Sequence, residues 1–586
     1  MALSNSSIAA VFDKVADLLD IEGANQFRVR AYRTAARTIA IQPESVAESI
    51  LHGRDLSELP GIGKDLAGKI EEVATTGRLN VLEDVEKRVP EGLSALLEIP
   101  GMGPKRVRVL KERCAVSSME SLERVLKTGQ IRELPGFGPK TEAAIRDGIE
   151  RRKLPGQSRV TRALGDEVTR ALLPYLKSVD GVLQVVAAGS YRRGLETIGD
   201  IDILATCTDA VAMMDAFVKY PEVLRVLSRG ITRSTIVLTS GIQVDLRVVP
   251  AESYGAALVY FTGSKAHNIA IRAIGVKKGL KVNEYGVFKG RRRLCGKTEE
   301  EVYARLGLAW IEPELRENRG EVEAARDGKL PELLRLDQIR GDLHAHTVAT
   351  DGRRTLEEMA EAARAKGYEY LSISDHTKRL TVARGQDEKR LREQIRAIDR
   401  LNARFSGFQI LKSAEVDILE DGSLDLPDSI LKELDIRVCS IHYKFNLPIQ
   451  QQTERVIRAM DNPYFNILAH PTGRLIGRRE GYALDLDRVI AAAAERGVFL
   501  ELNSQPDRLD LTDIYCRKAR DMGAKIVIST DAHSDLELDF MRFGVGQARR
   551  GWLRTEDVVN TRSWSRVRTL FRRAPSSGSL QRKKPQ

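Results

Sequence analysis

Residues 183–206 read LQVVAAGSYRRGLETIGDIDILAT. An apolar strand runs into Gly189-Ser190, the basic pair Arg192-Arg193 follows, and Gly199-Asp200-Ile201-Asp202 opens a second strand. Residues two apart on a strand share a face. Asp200 and Asp202 therefore project together, while Ile201 and Ile203 face a core. Two carboxylates on one face repel each other unless a cation lies between them. A D-x-D pair by itself is commonly an ordinary surface feature. Here a third carboxylate, Asp245, stands in another alternating strand, IQVDLRVV (242–249). Three carboxylates on adjacent strands can hold two Mg²⁺ or Mn²⁺ ions, an arrangement suited to phosphoryl-type transfer. The Gly189-Ser190 turn would offer backbone N–H groups to phosphate oxygens, with Arg193 in support.

Outward from this stretch, the chain has 586 residues, and at ~150 residues per domain it should hold about four domains. It is 42% hydrophobic and 30% charged, enough apolar material for several cores. No apolar run is long enough to span a membrane, and the start, MALSNSSIAAVFDKVADLL, lacks the basic-then-apolar pattern of a secretory signal. The five cysteines form no CxxC pair and suit a reducing compartment. A cytoplasmic, nucleoid-associated monomer is expected. The net charge of +11 is uneven: +5 over residues 1–338, −3 over 339–548 and +9 over 549–586. The end of the chain reads as a basic disordered tail.

Upstream, three segments repeat one design: LPGIGKDLAGKI (59–70), IPGMGPKRVRVL (99–110) and LPGFGPKTEAAI (134–145). Each is an apolar residue, Pro-Gly-x-Gly and an amphipathic helix pattern. Glycine permits the tight turn and close approach of another backbone, and the helix start leaves N–H groups free for phosphate. The three resemble helix-hairpin-helix motifs, which grip nucleic-acid backbone without reading sequence. Gly61, Gly63, Lys64, Gly101, Gly103, Lys105, Gly136, Gly138 and Lys140 are the candidate DNA contacts.

The pattern G-S-x-R-R-G-x-E-T-x-G-D-I-D-I-L resembles the palm of family X DNA polymerases, the polymerase beta type. YFTGSKAHNIAIR (260–272) and VNEYGVF (282–288) resemble that family's thumb. The resemblance implies that Asp200, Asp202 and Asp245 are catalytic metal ligands and that Gly189, Ser190 and Arg193 bind triphosphate. It also implies that Tyr260, Phe261 and Gly263 line the sugar pocket, that Asn268 reaches the base edge and that Arg272 senses the nascent pair. Lys265 departs from animal polymerase beta, which has an acidic residue there. Lys69 falls where the family has a Schiff-base lysine for lyase chemistry, with Tyr32 in a similar A-Y-R context, but Asp65 stands where the family has a phosphate-binding base.

Six of the eight histidines lie between residues 344 and 533. They follow or end seven apolar runs, 339–344, 370–375, 409–415, 435–441, 465–470, 498–503 and 526–531, separated by helical patterns such as LEEMAEAARAKG (356–367). Alternating strand and helix predicts a parallel barrel whose strand C-termini form the functional face. The set D-L-H-A-H, T-D-G, S-D-H, A-E, I-H, A-H-P and T-D-A-H resembles the PHP (polymerase and histidinol phosphatase) domain. The resemblance implies nine metal ligands: His344, His346, Asp351, His376, Glu415, His442, His470, Asp531 and His533. Nine mixed N/O donors suit about three ions, and imidazole with carboxylate favours Mn²⁺, Zn²⁺ or Fe. Arg379, Arg384 and Arg474 are candidate phosphate clamps.

The expected fold is multidomain: an all-α helix-hairpin-helix N-terminal region, an α/β nucleotidyltransferase palm with a small α+β thumb, and a C-terminal (β/α)7 PHP barrel. The expected boundaries are 1–85 for an 8-kDa-like domain, 86–152 for a second helical subdomain, 153–262 for the palm, 263–330 for the thumb, 339–572 for the PHP domain and 573–586 for the tail. The expected activity is gap-filling synthesis with dNTPs on gapped or primer-template DNA in repair, joined to 3′–5′ exonuclease or 3′-end phosphoesterase activity. Cleavage at abasic sites is left open. The alternatives are a template-independent nucleotidyltransferase and a PHP domain whose metals are a structural scaffold.

Overall fold

The computed structural model describes residues 5–40, 46–51, 54–59, 61–99, 102–134, 137–138, 141–142, 145–146, 149 and 159–571. Gly101, Gly136, Lys140 and the expected tail lie outside these. The chain falls into two units, residues 1–158 and 159–586.

The first unit is helical among its described residues. Its helices include Asn5–Glu22, Gln26–Ala40, Lys64–Thr76, Asn80–Arg88, Pro104–Cys114 and Met119–Thr128. They bury one continuous core that includes Phe12, Tyr32, Ile70, Val107, Leu122 and Phe137. The hairpin glycines start helices: Gly63 caps Lys64–Thr76, Gly103 caps Pro104–Cys114, and the carbonyl of Gly138 accepts from the N–H groups of Thr141 and Glu142.

The second unit begins with a five-stranded sheet. Its strands are β1 (Val182–Ala187), β2 (Asp200–Cys207), β3 (Val223–Arg229), β4 (Arg233–Leu238) and β5 (Gln243–Val248), in the order β1-β2-β5-β4-β3. Only the β2–β5 pairing is parallel. Ile201, Ile203, Val244 and Leu246 join the core that the Arg162–Lys177 and Ala210–Val218 helices cover. A small sheet of β6 (Lys281–Asn283), β7 (Gly286–Lys289) and β8 (Arg292–Cys295) follows the Tyr254–Thr262 and Lys265–Lys277 helices.

The rest forms a parallel sheet in strict chain order: β9 (Gly341–Ala345), β10 (Tyr370–Ile373), β11 (Gln409–Asp417), β12 (Ile436–Ser440), β13 (Ile467–Leu468), β14 (Phe499–Asn503) and β15 (Ile526–Ser529). A parallel bridge between Ala345 and Ala532 nearly closes the seven strands into a barrel. Helices connect successive strands because the sequence caps them: Thr355 and Glu358 form a reciprocal capping box on Leu356–Ala365, and Asp485 caps Leu486–Arg496, which ends at left-handed Gly497. All seven apolar runs read from the sequence become strands at these places. No helix among the described residues is long and apolar enough to cross a membrane.

Candidate functional sites

The palm cluster forms where β2 and β5 run side by side. Asp202 and Asp245 are direct neighbours in their parallel register, so the residues separated by 43 positions in sequence meet on one face. Asp245 is buried and held from three sides: Thr235 Oγ1 donates at 2.6 Å, Gln243 Nε2 at 2.7 Å and Arg233 Nη2 at 3.0 Å. Sequence reading missed these three positioning residues, although 233, 235 and 243, 245 each share the two-residue strand spacing. Burial, then the charges of Asp200 and Asp245, push Asp202 up to about 7. Such mutual repulsion is what a bound cation relieves.

Gly189 explains the Gly-Ser turn. Its φ is +59°, and a Cβ there would lie 2.3 Å from Asp202 Oδ2. Only glycine lets the turn approach the carboxylate so closely. Arg193 follows on the same turn, its Nη1 donating to the Thr262 carbonyl at 2.6 Å and its Nε to Glu317 at 2.9 Å. Nη2 makes no such bond among the described residues. Gly263 lies against the same guanidinium, Tyr260 and Phe261 meet edge to face at 5.1 Å, and the Asn268 amide donates to the Tyr260 carbonyl at 2.7 Å. The predicted pocket residues from 189 to 268 thus form connected contacts. Arg272 is exposed further along the Lys265–Lys277 helix. Close by, Glu299 is held down at about 2. Burial opposes its ionisation, and the guanidinium groups of Arg192 and Arg316 outweigh burial.

At the C-terminal ends of the barrel strands the nine predicted ligands converge. Three groups place their donor atoms within 4.8 Å of one another: His346, Asp351, His376 and His533; His344, His346 and Asp531; and His376, Glu415 and His442. His470 joins through Nε2, 2.9 Å from Glu415. Burial works against protonated imidazole, yet nearby carboxylates raise His376 to about 10 and His442 and His533 to about 9. His346, crowded by His533 and His376 as well as buried, falls to about 4. His346 Nδ1 and His470 Nδ1 are buried without a hydrogen bond. Buried orphan donors and several charges packed into one pit are costly unless cations take the place of the protons, so these residues fit metal ions. Backbone strain marks the same place: the φ of His470 is +25° and that of Asp531 is +51°.

Around the ligands stand carboxylates that sequence reading did not single out. Glu501, wholly buried on β14, accepts from His344 Nδ1 at 2.7 Å, from the His470 N–H at 2.6 Å and from Ser529 at 2.5 Å. Asp417 lies 3.2 Å from His442 Nδ1. Such partners fix the imidazole orientation. The signal for Glu501 was present as a lone charge within the strand FLELN (499–503).

The expected clamps behave differently. Arg474 is drawn away, pairing in bidentate fashion with Glu196 of the palm at 2.6 and 3.2 Å. Its guanidinium is thus taken up by a carboxylate of the chain itself rather than left free as a phosphate clamp. Arg379 is exposed and stacks on Tyr443, and Arg384 is exposed and bonds to the carbonyls of Val348 and Thr350. Arg508, unnoticed in the sequence, brings its guanidinium 3.8 Å from Asp531 Oδ2, with no hydrogen bond from it among the described residues.

In the first unit a Cβ on Gly63, Gly103 or Gly138 would meet no atom of the described residues within 4 Å. Packing among the described residues therefore does not demand glycine there, whereas close approach of a partner's backbone would. Gly61 needs its φ of +80°. Lys64 and Lys105 lie in the first turns beside Gly63 and Gly103. Lys69 pairs with Asp65 one helical turn earlier and lies 6.0 Å over the ring of buried Tyr32.

Known proteins match in the same order as these sites. The helix-hairpin-helix domain model matches residues 4–79, and the SAM-like helix-hairpin-helix tandem model matches 93–151. The DNA polymerase beta palm model matches 159–255 and the thumb model 257–317. The DNA polymerase/3'-5' exonuclease PolX of Bacillus subtilis is 38% identical over 97% of this chain and 100% of its own length. The chain belongs to the bacterial family X DNA polymerases with a PHP domain. DNA polymerase lambda of Arabidopsis thaliana is 26% identical over 53% of this chain and 62% of its own length. A probable phosphatase of Thermoanaerobacter sp. (strain X514) is 30% identical over 38% of this chain and 89% of its own length. The family X palm, thumb and PHP barrel read from the sequence are all present.

Proposed function

We propose that this protein extends primer 3′-ends across short gaps in DNA at the Asp200, Asp202, Asp245 cluster and trims or cleans 3′-ends at the barrel cluster, in DNA repair. The observation that carries this reading is the presence, in one chain, of two separate clusters of different donor chemistry: three carboxylates whose charges meet at Asp202, and an imidazole-rich pit whose donor atoms lie within reach of shared ions. Oxygen donors suit Mg²⁺, and mixed imidazole and carboxylate suit Mn²⁺, Zn²⁺ or Fe. Two ions in the first and about three in the second match the donor numbers. Held there, divalent cations supply nucleophile activation and charge neutralisation at phosphorus.

The chain's own residues do the rest. At the palm, the N–H groups that begin the Gly189–Arg192 turn, the Ser190 hydroxyl and Arg193 Nη2 receive the dNTP phosphates. Tyr260, Phe261 and Gly263 bound the sugar, Asn268 reaches the base edge and Arg272 the nascent pair. Arg233, Thr235 and Gln243 keep the Asp245 carboxylate aimed at the cluster. At the barrel, Glu501 and Asp417 hold His344 and His442 in the orientation that leaves Nε2 free for a ligand role. Arg508 takes the phosphate-clamping part expected of Arg474. The hairpin residues Gly61, Gly63, Lys64, Gly103, Lys105 and Gly138, with Gly101, Gly136 and Lys140, grip the DNA backbone. Lys69 contacts a 5′-phosphate, and borohydride trapping of an abasic-site DNA tests it for lyase chemistry.

End-labelled gapped DNA tests the whole reading. Asp245→Ala should abolish extension and leave 3′-end removal, and a His344→Ala, His346→Ala protein should do the reverse in Mn²⁺. Extension by the first variant, or 3′-end removal by the second, would overturn the corresponding assignment.

A further inference from the structure

The palm and the barrel belong to one unit, and arginines of a barrel helix, Met541–Arg550, reach the polymerase part. Arg542 grips Asp166 Oδ2 with Nε and Nη2 at 3.1 and 2.8 Å, and Asp166 Oδ1 accepts from the Tyr191 hydroxyl at 2.7 Å. Arg549 pairs with Glu314 at 2.7 Å and Glu312 at 3.1 Å. Arg550, the last residue of the helix, reaches furthest in. It is 7% exposed. Its Nη1 donates to the backbone carbonyl of Arg193 at 2.8 Å and to Glu317 Oε1 at 3.1 Å. Glu317 Oε1 also accepts from Arg193 Nε at 2.9 Å. The other arm of Arg550, Nη2, donates to Asp513 Oδ2 at 2.7 Å, which Arg319 shares at 2.8 Å.

One barrel guanidinium thus holds both the main chain of Arg193 and the carboxylate that orients the Arg193 side chain. We infer that Arg550 is a positioning residue for nucleotide binding in the polymerase site. The PHP barrel, whatever its own chemistry, supplies a buttress for the palm's phosphate turn. The inference rests on the reading of Gly189, Ser190 and Arg193 as triphosphate contacts. Its physical basis is that a planar, two-armed guanidinium makes several charge-assisted bonds in fixed geometry, which a lysine ammonium cannot reproduce.

The test is steady-state gap filling by the full chain with dNTP varied. Arg550→Ala should raise KM for dNTP about tenfold, the loss of one to two charge-assisted bonds, with kcat and 3′-end removal changed little. Arg550→Lys should fall between. Arg549→Ala is the comparison: it removes an ion pair from the same helix, yet Glu312 and Glu314 do not touch the phosphate turn, and KM should stay at the wild-type value. Asp513→Asn, which releases the outer arm of Arg550, should raise KM less than Arg550→Ala and provides a second reading if that variant does not fold. Equal KM values for Arg550→Ala and wild type would overturn the inference. So would equal increases for Arg550→Ala and Arg549→Ala, which would mean general loosening of the boundary. Arg193→Ala separates the layers. If it leaves KM unchanged, the phosphate-turn reading itself fails, and the inference falls with it. If it raises KM while Arg550→Ala does not, only the inference fails.

Discussion

The palm trio and the barrel pit solve the same problem, gathering negative charge for cations, in opposite ways. The palm uses two adjacent strands. Asp202 faces Asp245 in register, Asp200 is exposed, and neutral donors steady a single carboxylate. The barrel uses the ends of several strands and their loops, and six of its nine ligands are buried, with a further buried carboxylate, Glu501, tying two of them together. An oxygen-only site open at Asp200 leaves room for an incoming substrate and suits weakly held, exchanging cations. A deep pit with oriented imidazoles suits ions that stay. The two centres should therefore differ in what perturbs them more than in the chemistry they perform.

The largest expected effect is on the palm. Asp245→Ala should reduce gap filling on the order of 10³-fold while 3′-end removal, measured on the same labelled DNA, stays within twofold or so. Parallel loss at both sites would break the comparison. Next comes Glu501→Gln in the barrel. It keeps the shape but removes the charge facing His344, and should lower metal retention or 3′-end removal ~10–100-fold, read by elemental analysis after dialysis. Extension should persist.

Acid should then expose what the two centres share. Asp513, buried at the palm–barrel boundary, would be raised by burial, but Arg550 and Arg319 outweigh it and hold it at about 2. A carboxylate depressed on folding stabilises the fold at pH values above its unfolded pKa and loses that contribution as pH falls toward the folded one. The window here runs from about pH 4 down to about pH 2 and is worth roughly 2 kcal/mol. Asp513→Asn should flatten the fall in melting temperature across that window, and an unchanged slope would assign acid sensitivity elsewhere. The smallest effect belongs to Gly189→Ala. It places a residue at φ +59° against Asp202 and costs roughly 1 kcal/mol of stability, with extension weakened and 3′-end removal untouched.

Much of both centres was readable before any fold was known, for unequal reasons. D-x-D spacing is a local property of any strand, so Asp200 and Asp202 needed no tertiary information, and Asp245 needed only a second alternating strand. The histidines were legible because so few exist and six follow or end apolar runs. Arg474 was one of three candidate clamps, and nothing near it in the sequence announces its partner 278 residues away. Glu501 was overlooked because a lone acid in an apolar strand has several readings until His344 is seen beside it, 157 residues earlier.

Periodicity, turn residues and donor types determine the strands, the helix starts and the inventory of ligands, since these depend on neighbours within a few residues along the chain. Which strand lies beside which, and hence that Asp202 faces Asp245, is a matter of sheet register. Which buried arginine meets which acid, Arg474 with Glu196 or Arg550 with Glu317, depends on how whole layers pack. Those pairings join residues hundreds of positions apart, and only the burial of the surrounding apolar faces brings them within hydrogen-bonding reach.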